Sequence, residues 1–253
     1  MARILVEAPL THEKIAEAFC TIGGDEPWFT VDEDKTDYEA ATPIVCLNWA
    51  GDPTGKTGLY ITGSLSALTF QAYYTNSSNV VTQMGTNFGA VNGSNVNTSS
   101  GTLDIYIDYV ECKYALIFGV RLTNTSSALP LAFVKPSEEG EDPAILGHPQ
   151  AEYTPLYFSF NNLAIVNAQG TGTGKQVNWD GATNNEDIQL ARPFYDGVVH
   201  NNFFIALYNP TMPAYTTYKT TIGNKKYVIW GNHYSGTSNH CALIFEDKEE
   251  EAV

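Results

Sequence analysis

Short apolar segments bounded by turn residues recur along most of this chain. In residues 103–110, LDIYIDYV, apolar positions alternate with acidic or tyrosine positions, which predicts a strand with one buried face and one face in water. Other segments are apolar on both faces and short enough for the central strands of a sandwich, namely 44–47, 115–118, 203–208, 227–230 and 242–245. The pattern predicts a mainly β protein of one or two antiparallel, sandwich-like lobes.

One segment near the N-terminus has helical periodicity instead. Thr11 is suited to cap a helix, and Ile15, Ala18 and Phe19 fall on one helical face. Gly23-Gly24 would end the helix. We therefore predict one short N-terminal helix.

Changes in composition divide the chain into five predicted parts. They are an N-terminal segment with the helix (1–24), a first β lobe (25–125), a proline-rich acidic connector (126–152), a second β lobe (153–246) and an acidic, solvated tail (247–253). The polar stretch 75–102 predicts a long, mostly exposed excursion with a hairpin at Asn92-Gly93.

The two lobes share short sequence features in the same order. Ala-Leu-Ile-Phe occurs at 115–118 and again at 242–245, and glycine-rich turns end in Gly55-Lys56 and in Gly174-Lys175. An internal duplication explains this order. Chance reuse of apolar tetrapeptides and glycine turns explains it equally well, so both interpretations stay open.

The chain is acidic, and this limits its partners. Its 253 residues include 28 acidic and 13 basic ones, giving a formal net charge of −15, and the densest basic pair is Lys225-Lys226. Such a surface repels a phosphate backbone and an anionic bilayer. We expect a soluble protein that binds neither nucleic acid nor membranes.

The cysteines and the N-terminus indicate synthesis in a reducing cytoplasm. Cys20, Cys46, Cys112 and Cys241 form no CxxC pair, and the last three lie in apolar runs where a free thiol behaves as a small buried hydrophobe. The first residues, MARILVEAPLTHEK, lack the pattern of a secretory signal.

Residues 50–57, AGDPTGKT, fit a relaxed phosphate-loop pattern. A true phosphate loop opens a helix whose amides hold the phosphates. The sequence that follows Lys56 favours a strand, and Pro53 removes one amide donor. We therefore predict a hairpin loop here, and no cofactor.

The metal-like patterns are incomplete. Residues 32–37 start like a calcium loop, but Asp37 stands where the loop needs glycine, and Pro43 stands where it needs glutamate. His233, His240 and Cys241 lie close in sequence without a second cysteine at a zinc spacing. We predict no metal site.

No catalytic site is predicted. The chain has no G-x-S-x-G elbow. Asp104 and Asp108 share a predicted strand face and resemble a glycosidase carboxylate pair, but alternation on an exposed face explains them more simply.

Aromatic residues are the remaining candidates for contacts with a partner or a sugar. We expect most of them in the core and one or two on the surface; the candidates are Trp28, Trp49, Tyr73, Tyr74, Trp179, Tyr215, Tyr218 and Trp230.

From about Trp28 to Phe245 the chain resembles virion structural proteins of tailed bacteriophages. The resemblance rests on Asn/Thr/Gly-rich loops, on strands such as LDIYIDYV, on the closing segment CALIF at 241–245 and on the lack of a signal peptide. It implies a tail, baseplate, collar or head-decoration component located in the virion, which binds other virion proteins and forms a homo-oligomer. No heptad stalk and no Gly-X-Y stretch encodes a fibre shaft.

Three functions follow as hypotheses. The first is a non-enzymatic assembly component that acts through protein–protein contacts. The second is a carbohydrate- or receptor-binding module that contacts a host surface glycan, and the third is a glycan-active enzyme. The residues that contact a partner or glycan are not identified by the sequence.

Overall fold

The structure is a computed structural model. It describes the following residues: 1–75, 78, 80–83, 94–127, 129–137, 143–147, 156–159, 165–167, 175–178, 187–191, 194–195, 198–199, 203–208, 217–222, 224–232 and 240–248.

The described chain is mainly β, with antiparallel sheets and one short helix near the N-terminus, which confirms the predicted fold class. The helix is α1 (His12–Cys20). The strands are β1 (Ala2–Val6), β2 (Phe29–Val31), β3 (Ile44–Trp49), β4 (Thr57–Thr62), β5 (Leu68–Thr75), β6 (Val81–Gln83), β7 (Ser94–Val96), β8 (Ile105–Glu111), β9 (Ala115–Leu122), β10 (Leu131–Val134), β11 (Ala144–Gly147), β12 (Leu156–Ser159), β13 (Ile165–Asn167), β14 (Lys175–Asn178), β15 (Asp187–Ala191), β16 (Phe194–Tyr195), β17 (Val198–Val199), β18 (Phe203–Tyr208), β19 (Thr217–Ile222), β20 (Lys225–Asn232) and β21 (His240–Glu246).

The chain divides into two compact units whose border crosses β8 and β9. Unit 1 comprises Met1–Tyr109 and Phe118–Leu131, and unit 2 comprises Val110–Ile117 and Ala132–Val253. The segment 126–152, interpreted from its prolines as a connector, includes β10 and β11. All four residues of β10 are buried.

Unit 1 contains a sheet in the order β2-β3-β4-β5-β6, in which β7 also pairs with β5. Every one of these pairings is antiparallel. Because β6 and β7 pair with β5, part of the predicted excursion 75–102 is regular structure, and Val96 and Thr98 are buried. The expectation of a mostly exposed excursion is wrong for these residues, and Asn92-Gly93 lies outside the described residues.

One face of helix α1 packs in the core of unit 1. It starts as predicted, with the Thr11 hydroxyl accepting a hydrogen bond from the Lys14 amide at 3.1 Å. The buried face contains Ile15, Ala16 and Phe19, while Ala18 is only half-buried. The observed buried face is therefore rotated about the helix axis by a fraction of a turn from the predicted one.

The ring of Phe19 stands at the centre of an aromatic cluster. Its centroid lies 5.9 Å from that of Phe29, 6.0 Å from that of Phe70 and 5.3 Å from that of Phe118. These contacts fix α1 against β2, β5 and β9, since edge and tilted ring packing at such distances is favourable.

The alternating segment 103–110 forms β8, but it begins at Ile105 rather than at Leu103. Ile105 and Ile107 are buried as predicted. Leu103 is 41% exposed, which contradicts its predicted burial, because it precedes the strand in a bend.

Unit 2 contains a sheet in the order β14-β15-β18-β21-β20-β19 and an antiparallel meander β11-β12-β13. The apolar runs at 203–208, 227–230 and 242–245 lie in β18, β20 and β21, as predicted.

The two glycine–lysine turns differ in the strands that flank them. The first joins the paired strands β3 and β4, whereas β13 and β14, on either side of the second, belong to different sheets.

The end of β21 and the two residues that follow it form ion pairs within unit 2. Glu246 pairs with Lys113 at 2.9 Å, and Lys248 pairs with Glu111 at 3.0 Å. The buried Asp247 pairs with Lys219 at 2.8 Å. The expectation that the acidic tail is solvated from its start is therefore wrong for Asp247, which is buried and paired with Lys219.

Candidate functional site

The phosphate-loop-like segment is the connection of the β3–β4 hairpin, as predicted, and Asp52 organises it. One carboxylate oxygen of Asp52 accepts hydrogen bonds from the Thr54 amide and hydroxyl at 2.9 and 2.6 Å. The other accepts from the amides of Lys56 and Thr57, both at 2.8 Å. The loop amides thus converge on an internal carboxylate, which occupies the place that a bound phosphate would need.

Two glycines of this region make room for aromatic rings. A Cβ on Gly51 would lie 2.2 Å from the Trp49 ring, and a Cβ on Gly58 would lie 2.9 Å from the Tyr73 ring and 1.9 Å from the Leu47 carbonyl oxygen. Gly51 and Gly58 are therefore required by packing in the hairpin.

The calcium-like segment forms a turn closed by its own lysine. The Lys35 ammonium pairs with the Asp32 carboxylate and donates to the Gly55 carbonyl at 3.0 Å. Among the residues that the structure describes, no group of three or more His, Cys, Asp or Glu side chains is arranged to hold a metal ion. His233 and the side chains of His240 and Cys241 lie outside the described part of the chain.

Two of the thiols are buried and protonated. Burial raises the pKa of the Cys46 thiol to about 12, and it also raises the pKa of Cys112. Both cysteines are free, as predicted, and a thiol with a raised pKa is a poor nucleophile.

Asp104 and Asp108 do not form the exposed carboxylate pair that the sequence suggested. Asp104 is half-buried and accepts a hydrogen bond from the Ala8 amide at 2.7 Å. The Asp108 side chain is only 1% exposed. Its predicted exposure is wrong because side chains from neighbouring segments cover the face on which it lies.

Asp108 is neutralised by two arginines. Arg3 on β1 donates from Nε at 2.5 Å, and Arg121 on β9 donates from Nε at 2.6 Å. The Ser127 hydroxyl donates at 2.5 Å. Both guanidinium groups also lie over the Tyr106 ring, at 4.5 Å for Arg3 and 4.7 Å for Arg121.

These contacts decide the charge state of the carboxylate. Burial alone would raise the pKa of Asp108, but the hydrogen bonds from Arg3, Ser127 and Arg121 outweigh it and hold the pKa below its ordinary value. The arrangement is a closed ion-pair cluster whose carboxylate is occupied, so it is suited to fixing β1 against β8 rather than to acid–base chemistry.

Of the aromatic candidates for a sugar or partner contact that the structure describes, most are in the interior, as expected. Four of them are buried: Trp28, Trp49, Tyr73 and Trp230. Tyr74 is half-buried and Tyr218 is exposed, whereas Trp179 and Tyr215 lie outside the described residues.

The sequence did not reveal the surface that stands out, which is the outward side of β1. Strand β8 pairs with one side of β1, and no described strand pairs with the other. Leu5 on this strand is 44% exposed. Five large apolar side chains are exposed among the described residues, and two of them lie on β1 or directly before it: Met1 and Leu5. We call the unpaired side of Ala2–Val6, with the exposed Leu5, the β1 edge.

The β1 edge has little of the usual protection of a strand edge, because β1 contains no proline and its one charged residue is bound to a neighbouring carboxylate. Natural edges are commonly guarded by charged side chains, proline or a bulge. The charged residue of β1 is Arg3, whose guanidinium is directed to Asp108 and Tyr106. Within the described part of the chain, no strand pairs with the outward backbone groups of β1, and Leu5 beside them is exposed, which suits the edge for pairing with another chain.

Comparison of the chain with protein-family models, curated proteins and solved structures found no match. Within the described residues, no helix is long and apolar enough to cross a membrane.

Proposed function

We propose that the chain is a non-enzymatic structural component of a tailed-bacteriophage virion and that it contacts other proteins through the β1 edge. The observation that carries the assembly role is the outward side of β1, which pairs with no strand that the structure describes and which carries the exposed Leu5. Addition of a strand to such an edge supplies main-chain hydrogen bonds, and the side chains then provide selectivity.

The ion-pair cluster beneath the edge supports this role. Since Asp108 bridges Arg3 on β1 and Arg121 on β9, it fixes the position of β1 without a partner. A rigid edge loses little conformational entropy on binding, and this favours association. The virion part of the proposal is supported by the sequence resemblance.

The virion role is tested by mass spectrometry of phage particles purified by density gradient from a culture that produces the chain. We expect its peptides in the particle band at a fixed ratio to the other virion proteins. Peptides confined to the soluble fraction would contradict the virion role.

The role of the β1 edge is tested in the same particles with two variants. Leu5→Lys places a charge on the edge and is expected to reduce incorporation at least tenfold. Val80→Lys makes the same kind of change at another exposed apolar residue of unit 1 and should be incorporated normally. Equal incorporation of both variants would contradict assembly through the β1 edge.

A further inference from the structure

We infer that the partner at the β1 edge is the β1 edge of a second copy of this chain, paired antiparallel about a two-fold axis that passes between the two Leu5 residues. The inference rests on the proposed assembly role and names its partner.

Charge complementarity selects this register. In an antiparallel pair centred on Leu5, Leu5 faces the Leu5 of the second copy, and Arg3 faces its Glu7. The two-fold axis repeats the second pair, so each dimer contains two Arg3–Glu7 contacts. Glu7 is exposed.

The adjacent register lacks this match. Centring the pair on Ile4 would place Arg3 opposite Leu5 and leave Glu7 opposite Met1. That arrangement would bring a cation against an apolar side chain and leave the carboxylate of Glu7 without a cationic partner.

The face of the strand also favours the register centred on Leu5. Arg3, Leu5 and Glu7 alternate with the residues that turn toward the interior, where Val6 is buried and Ile4 is half-buried. Arg3 is 42% exposed at its side chain although it pairs with Asp108. Its guanidinium has five donors, so it can hold Asp108 and still reach a second carboxylate.

The pairing is expected to be weak in a dilute solution of the chain. Two five-residue strands bury far less than the roughly 1,200 Å² of a stable interface. The net charge of −15 on each copy adds repulsion. Association is therefore measured at about 0.1 mM, where a contact with a micromolar Kd is filled.

Register-specific cross-linking of the full chain tests the inference. Leu5→Cys places two thiols opposite each other across the axis, at a Cα separation of about 4.5 to 5.5 Å, which a disulfide tolerates. We expect a covalent dimer that forms at least tenfold faster than with Ile4→Cys or Leu103→Cys under the same mild oxidant. Leu103 is the matched control because its exposure of 41% is close to the 44% of Leu5.

The unmodified chain is the control that measures cross-linking through the native cysteines. Faster dimer formation by Ile4→Cys would overturn the register. Equal rates for all three variants would overturn self-pairing of β1 altogether.

A charge exchange tests the complementarity independently. Glu7→Lys places a lysine opposite Arg3 and is expected to weaken dimerisation about tenfold in sedimentation equilibrium. Glu13→Lys makes the same change on the exposed side of α1. Because it lowers the net repulsion between copies, Glu13→Lys should leave dimerisation unchanged or slightly strengthen it. Equal effects of the two variants would contradict the Arg3–Glu7 contact.

The outcomes separate this inference from the proposed function. A chain that is found in virions but does not pair through Leu5 overturns the self-pairing alone. A chain that dimerises through Leu5 but is absent from virions overturns the virion role alone.

Discussion

Burial of the charged Asp108 side chain costs desolvation free energy, and hydrogen bonds from three donors offset this loss. A carboxylate removed from water is expensive unless it is paired and hydrogen-bonded, and here Arg3, Arg121 and Ser127 supply the pairing. Arg121 is itself only 10% exposed at its side chain. Removing the carboxylate would leave that buried guanidinium without its anionic partner, with only the Ser127 hydroxyl and nearby carbonyls as acceptors.

We expect Asp108→Asn to lower the free energy of unfolding by about 3 kcal/mol, measured by urea denaturation. Asp104→Asn is the matched control, since an amide oxygen can still accept the hydrogen bond from the Ala8 amide. We expect the control to change stability by less than about 1 kcal/mol. Equal losses in both variants would mean that the cluster adds no stability of its own.

The lowered pKa of Asp108 also predicts a pH dependence. The unfolded chain takes up a proton on this carboxylate near its ordinary pKa of 3.8, whereas the folded chain binds it only at lower pH. The stabilisation is therefore fully present above about pH 5 and is lost as the pH falls through the folded-state pKa. Urea denaturation of the wild type and Asp108→Asn should give a stability difference that shrinks with acidification. A difference that stays constant would contradict the charge-based account.

Gly58 is required by its neighbours and not by its backbone angles. We expect Gly58→Ala to destabilise the fold by about 3 kcal/mol, because its Cβ would overlap the Leu47 carbonyl and the Tyr73 ring. Gly24→Ala is the control for backbone strain alone, since Gly24 has a φ of +65° and nothing within 4 Å of an added Cβ. We expect the control to cost about 1 kcal/mol in thermal unfolding. A larger loss in the control would show that overlap is not the dominant effect at Gly58.

At the scale of elements, strands with strong patterns were predictable. The runs at 44–47 and 115–118 lie in β3 and β9, because a short stretch that is apolar on both faces needs a central position in a sheet. Strand β10 was harder to predict from the sequence. Its four apolar residues stand between Pro130 and Pro136, which flank the strand and leave its amides free to pair.

β1, which forms the candidate site, was not predicted as a strand. Its sequence, ARILV, has no alternation and only three consecutive strongly apolar residues. Its conformation depends on pairing with β8, about a hundred positions away, and on the contact of Arg3 with Asp108. The strand propensity of a short segment does not indicate pairing with a strand so far away in the sequence. The triplet Ile4-Leu5-Val6 next to a lone arginine was the only signal present.

The β3–β4 connection gives a prediction at the element scale. Asp52→Asn replaces one acceptor oxygen by an amide donor, which then faces amide donors of the loop. We expect a loss of about 2 kcal/mol in urea denaturation. Asp25→Asn, at an exposed position, should be neutral. An unchanged stability of Asp52→Asn would contradict the view that this carboxylate organises the loop.

At the scale of the whole molecule, the net charge limits the class of partner, whereas the sheet topology bears on the surface that a partner contacts. The net charge of −15 disfavours contacts with nucleic acid and anionic surfaces but does not specify a partner. The proposed partner surface depends on topology, because the sheet order identifies the strands that lie at edges, and β1 is one of them. This explains why the fold class could be predicted from the sequence whereas the candidate site could not.

Hydrogen–deuterium exchange of the peptide that covers Ala2–Val6 tests the central claim most directly. The measurement compares the isolated chain at low concentration with the chain in purified virus particles. Amides on the unpaired side of β1 should exchange quickly in the isolated chain and become protected in the particle, while peptides from α1 stay unchanged because the helix is already folded in unit 1. Fast exchange of the β1 peptide in both samples would contradict assembly through the β1 edge.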